Sequence, residues 1–158
     1  MPNLLLFAPC EKAIIDANGA LSMISIIGSV SVNVPANAPT PPAGAVLPYP
    51  WAIVTIWQVA SDWEFDRAFE QRGTLISEAG SNLLDSIGEF RFKRDAVGKN
   101  LSTVVIFLPG MPLSPGDLKV KVSVREKADS PREWRELGSF PIQFQLKPVE
   151  MPPTSVIQ

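Results

Sequence analysis

Leu118-Lys119-Val120-Lys121-Val122-Ser123-Val124-Arg125 alternates apolar and polar side chains without a break. Successive side chains of a β-strand point to opposite faces, so this stretch packs Leu118, Val120, Val122 and Val124 on one side and wets Lys119, Lys121, Ser123 and Arg125 on the other. On a helix the same residues would scatter around the whole circumference. Downstream, Ser139–Leu146 repeats the pattern with Phe140, Ile142, Phe144 and Leu146. Upstream, Gly88–Lys93 does so with Phe90 and Phe92 against Arg91 and Lys93. Trp51–Ala60 carries Ile53, Val54, Thr55, Ile56, Trp57 and Val59 with no helical cap or breaker, which predicts a central strand buried on both faces. Ser102–Leu108 is a further apolar run, stopped by Pro109-Gly110.

Towards the N-terminus, Asn3–Cys10 suits a strand buried on both faces, with Pro9 ending or bending it. Ala13–Asp16 leads into Asn18-Gly19, a pair that accepts the positive φ of a tight hairpin turn. The chain returns through Leu21–Val34, where Ser25, Ser29, Ser31 and Asn33 interleave with Ile24, Ile26, Val30, Val32 and Val34. Gly28 marks a bulge in that pattern, so the expectation is one long bent strand. Glu64–Arg72 fits both helical and strand spacing, and strand is favoured; Thr74–Ser77 reads as strand. Residues 35–50 hold Pro35, Pro39, Pro41, Pro42, Pro48 and Pro50, which rules out a central strand or a helix and predicts an extended crossover. A polyproline ligand is the competing reading, but the charges that usually flank one are missing. About eight strands punctuated by Gly and Pro describe an all-β, antiparallel sandwich in a single domain, residues 1–147, with a Pro-rich tail at 148–158.

Composition narrows the function. A chain of 158 residues, 46% apolar and 19% charged, has the material for one packed core. Its 14 basic and 16 acidic residues are dispersed in mixed groups, which argues against a nucleic-acid surface, since phosphate binding needs clustered Lys and Arg. Glu126–Glu136 alternates in sign and reads as a solvated hairpin. The longest apolar runs, Leu4–Ala8 and Val104–Leu108, fall far short of the roughly 20 residues of a spanning helix. Leu4–Ala8 also lacks the marks of a secretory signal, so no membrane partner is expected and a cytoplasmic address is the default.

Catalytic chemistry finds little to use. The chain has no His and one Cys, so Cys10 has neither a disulfide partner nor an imidazole base and reads as a buried, inert thiol. Gly-x-Ser-x-Gly turns and phosphate-binding glycine loops are missing. Asp62, Glu64 and Asp66 alternate as calcium ligands can, yet Trp63 and Phe65 interleave them, no glycine provides the turn and Arg67 follows directly. Two carboxylates meeting in space are the one catalytic arrangement left open, and nothing favours a particular pair. No catalytic residue, metal or cofactor is therefore expected. Trp51, Trp57 and Trp63 share strand parity and would form an aromatic stripe if one strand ran through all three. Trp57 reads as core, whereas Trp51 and Trp63 at the strand ends, and Trp134 in the charged hairpin, are candidate exposed anchors. With Pro41 and Pro42 they make up the expected partner-binding set.

Cys10-Glu11 leading to Ile14-Ile15-Asp16, the Asn18-Gly19 turn, Leu21-Ser22-Met23-Ile24 and the Pro-rich exit into an apolar strand together resemble a group of uncharacterised bacterial and phage-associated β-sandwich proteins. Leu113-Ser114-Pro115-Gly116-Asp117-Leu118 with its alternating strand is similar to that group's last hairpin. The resemblance implies an immunoglobulin-like or C2-like sandwich and no reaction; residues 35–50 and 77–86 are longer than the group's pattern. The expected role is non-catalytic: binding another protein or itself, or building a bacterial or phage assembly, as a virion component in the phage case. The second expectation is a carbohydrate-binding sandwich that stacks a glycan on its surface tryptophans.

Overall fold

The alternating octad forms the middle of a sheet. In the computed structural model, which describes residues 1–42, 44–94, 100–114, 116–128 and 132–149, β10 (Leu118–Glu126) lies between β6 (Ala68–Ser77) and β11 (Arg135–Val149). With β3 (Ser29–Pro35) and β7 (Asn82–Arg91) they make a five-stranded sheet, in the order β3-β11-β10-β6-β7. A four-stranded sheet has the order β2-β1-β5-β8, from β1 (Asn3–Ile15), β2 (Leu21–Ile26), β5 (Trp51–Gln58) and β8 (Leu101–Leu108). The short strands β4 (Val46–Leu47) and β9 (Met111–Pro112) form a separate clip. The fold is all-β and sandwich-like. One main core joins Ile53, Trp57, Val104 and Ile106 of the smaller sheet to Phe69, Leu75, Val120, Val122 and Ile142 of the larger. The sheets approach closely at Gly73, where an added Cβ would stand 2.6 Å from Ile53 Cδ1.

Several expectations are met. β5 is central and almost wholly buried. Asn18-Gly19 does turn the first hairpin, with Gly19 at φ +78° and Asp16 Oδ1 accepting from the backbone N–H groups of Asn18 and Ala20 at 2.8 Å each. The described residues of 35–50 do lead from the larger sheet to the smaller, tied down by the β4–β9 clip.

Others are corrected. Leu21–Val34 is not one bent strand: β2 belongs to the smaller sheet and β3 to the larger, and the chain changes sheets between Ile26 and Ser29. The sandwich is not wholly antiparallel, because β3 runs parallel to β11. Eleven strands stand among the described residues, not about eight, partly because of this split and the two-residue clip. Pro9 does not end β1. Its carbonyl accepts from Ile27 N–H on the β2 side, so the missing donor also faces that side and leaves the β5 ladder intact. Asp62–Asp66 is a 3₁₀ turn before β6, and residues 77–86 continue into the β6–β7 hairpin. β11 carries on through Pro148 to Val149; the rest of the expected tail lies outside the described residues.

Candidate interaction surface

The expected partner-binding residues scatter. Trp51 is only 1% exposed, its ring in the main core and its Nε1–H donating to Gly110 O at 3.0 Å, so it offers no platform. The stripe breaks because β5 ends at Gln58, and Trp63 sits instead on the 3₁₀ turn, 46% exposed. Trp134 is half-buried against the larger sheet, with the guanidinium carbons of Arg125 and Arg72 at 4.3 and 4.7 Å from its ring. Arg125 is also paired with Glu70 at 2.6 Å, so this ring is held in place by charge as well as by contact. Pro41 lines a small cleft with Leu113 and Leu146, and Pro42 is exposed.

The carboxylate triplet is also dispersed. Glu64 turns inward and is fully buried, 2.7 Å from the Met1 amino group, and accepts from Ala60 N–H, while Asp62 and Asp66 face solvent. Among the described residues no three His, Cys, Asp or Glu side chains converge as metal ligands do. Glu126, expected on a solvated hairpin, takes the last inward position of β10 and is buried, bridged by Arg132 at 2.7 Å and Arg67 at 3.0 Å.

A different surface gathers apolar side chains: the outer face of the smaller sheet. β1 pairs with β5 over Asn3–Cys10 and with β2 over Cys10–Ile15, so beyond Cys10 the β1–β2 hairpin has left the sheet. Ser25, in the left-handed region at φ +54°, bends β2 beside Glu11. The hairpin folds back over the outer face, packing Ala13, Leu21 and Met23 against Cys10, Ala52, Val54 and Val105. This explains why Cys10, Ala52 and Val54 have no exposed surface although they face away from the main core. Burial pushes the Cys10 thiol pKa up, against a smaller lowering from its backbone hydrogen bond at Lys12. The hairpin tip also roofs a crevice of about 710 Å³ with Leu6, Ile56, Leu101 and Thr103 on its floor.

The margins of this face stay open. The register Ile26–Cys10–Ala52–Phe107 runs across all four strands, and its ends are exposed, Ile26 by 57% and Phe107 by 69%. Phe107 and Pro109 border a second, largely apolar hollow of about 470 Å³ with Pro50 and Glu11. Leu101, at the other end of β8, is 46% exposed. From the sequence, Ser102–Leu108 reads only as an apolar run, with nothing in it to tell an exposed apolar side chain from a buried one. Leu101 and Phe107 are exposed because they lie on the outer face of an edge strand, at its two ends, while the folded-back hairpin packs towards Val105 in the middle; that cover is a property of topology.

One hydrogen bond fixes the hairpin's base. Tyr49 OH donates to Glu11 Oε1 at 2.5 Å, across the start of the curl. Burial, followed by this bond and the Glu11 charge, pushes the Tyr49 pKa up to about 12, while the Tyr49 and Ser25 hydroxyls pull Glu11 below its ordinary value. No protein-family model matches the chain, and no curated protein is significantly similar to it.

Proposed function

We propose that this chain is a non-catalytic binding or structural protein, an immunoglobulin-like or C2-like sandwich that works in the cytoplasm or in a virion as a subunit of a bacterial or phage assembly. The observation that carries the reading is the set of exposed apolar side chains on the smaller sheet, Ile24, Ile26, Leu101 and Phe107 among them. Covering one such side chain contributes about 1.5–3 kcal/mol, so a partner seated there gains most of its affinity from a few residues. The immunoglobulin-like assignment is supported by Trp57, buried on a central strand between two facing sheets. A glycan platform has less support: Trp51 is buried, Trp134 is half-covered by guanidinium groups, and Trp63 stands apart on its 3₁₀ turn.

The test is recovery of the tagged full-length chain from its own cells, as wild type, Phe107→Lys and Trp134→Ala. Wild type should retain a stoichiometric partner, either a different protein or an untagged copy, and Phe107→Lys should lose it. Recovery of the chain alone from all three would reject the reading. Loss with Trp134→Ala and retention with Phe107→Lys would move the surface to the opposite sheet.

A further inference from the structure

We infer that β8 is where a second copy of this chain docks, edge to edge and antiparallel, so that the two smaller sheets become one continuous sheet across a two-fold axis. The inference rests on the binding role proposed above and names its partner.

Among the described residues the two main sheets end on β2, β8, β3 and β7. An edge strand offers a row of free backbone donors and acceptors, and a monomer blunts such rows with charge, proline, bulges or twist. β7 carries Asp85, Glu89 and Arg91, and Glu89 is ion-paired with Lys127. β3 ends in Pro35 and places Ser29, Ser31 and Asn33 between its valines. β2 is bent at Ser25 by its positive φ. β8 has none of these devices. Leu101-Ser102-Thr103-Val104-Val105-Ile106-Phe107-Leu108 contains no charge, proline or glycine, and pairs with β5 in an unbroken register along its whole length. Such an edge is built to receive another strand.

The strand is also complementary to itself. Val104, Ile106 and Leu108 face the core, and Leu101, Thr103, Val105 and Phe107 lie on the outer face. Paired residues must share a face, so the two-fold axis has to pass through a residue and not between two. With the axis at Val104, Leu101 stands opposite Phe107 of the second copy, and Thr103 opposite its Val105. The two most exposed apolar side chains of the strand thereby become cross-strand partners at both ends of the contact. Moving the axis to Thr103 leaves Phe107 without an opposite residue inside the strand, and moving it to Val105 does the same to Leu101. A two-fold contact brings groups near the axis close to their own images, and an edge without charge meets no self-repulsion there.

Light scattering on the full chain at micromolar concentration should give a dimer for wild type and half that mass for Phe107→Lys, with the far-ultraviolet circular dichroism unchanged because position 107 is largely in solvent. The register is tested with Leu101→Cys and Phe107→Cys, each prepared alone and then exchanged into mixed dimers. On mild oxidation only the mixture should cross-link, since each introduced cysteine faces the other's position; Cys10 has no exposed surface and stays out of the reaction. A monomeric wild type, a filament in place of a dimer, or cross-linking of either variant alone would overturn the inference. A monomer that still holds a different protein through Phe107 overturns the dimer and leaves the binding role standing.

Discussion

Gln71 is the polar residue on which the inner faces of the two sheets meet. Its Oε1 accepts from Trp57 Nε1–H at 2.8 Å and from the Thr55 hydroxyl, and all three side chains are buried. The indole also donates to Thr55 Oγ1 at 2.8 Å, which closes a triangle inside an apolar core. Gln71→Ala removes the shared acceptor and opens a void, so denaturant titration should show a loss on the order of 2–4 kcal/mol. Gln71→Leu keeps the volume and removes the unpartnered Nε2 as well, so it should cost less. Tyr49 gives a second residue-scale prediction. It is the chain's only tyrosine, so tyrosinate absorbance reports it alone. Below pH 10 it is protonated in the folded and the unfolded chain, and its contribution to stability is fully present. As pH rises from 10 towards about 12 the unfolded chain loses the proton first, and that contribution is lost. The folded protein should titrate near 12, and Glu11→Gln should lower the midpoint; a midpoint near 10 in both would contradict the hydrogen bond and the partial burial of the phenol.

At the scale of elements, the β4–β9 clip shows how the proline-rich crossover is anchored. Gly110 lies under it: a Cβ there would stand 2.5 Å from Val46 Cγ1 and 2.8 Å from Leu47 O, and its carbonyl holds the Trp51 indole. Gly110→Ala must part the clip, because Leu47 O is backbone and does not swing aside. The variant should lose about 1–3 kcal/mol of stability, read from the denaturant midpoint, and Trp51 fluorescence should move towards that of a wetter ring. The anchoring was partly legible: prolines at 35–50 exclude regular structure, so a crossover follows from them alone. The division of Leu21–Val34 was not. Both halves carry the same two-residue period, and the partner that tells them apart, β1 for one and β11 for the other, is remote in sequence.

For the whole molecule, the main core draws on both sheets, and neither sheet buries its inner face without the other. Unfolding should therefore be a single transition, with tryptophan fluorescence from the buried Trp51 and Trp57 and far-ultraviolet circular dichroism falling together; separated midpoints would show that one sheet outlives the other. The all-β class was readable from Leu118–Arg125, Ser139–Leu146 and Trp51–Ala60, because strand alternation is a local consequence of where successive side chains point. The burial of Cys10 followed from its chemistry and its apolar neighbours. Where the surface lies was decided only by tertiary structure. Trp51 and Phe107 are both large apolar residues of strands, yet Trp51 faces the main core beneath the clip, whereas Phe107 lies on the outer face at a sheet edge that the folded-back hairpin does not cover. Alternation is local and can be read along the chain; which face meets the second sheet, and how far the hairpin covers the other, depends on contacts between segments remote in sequence, and exposure follows from that cover.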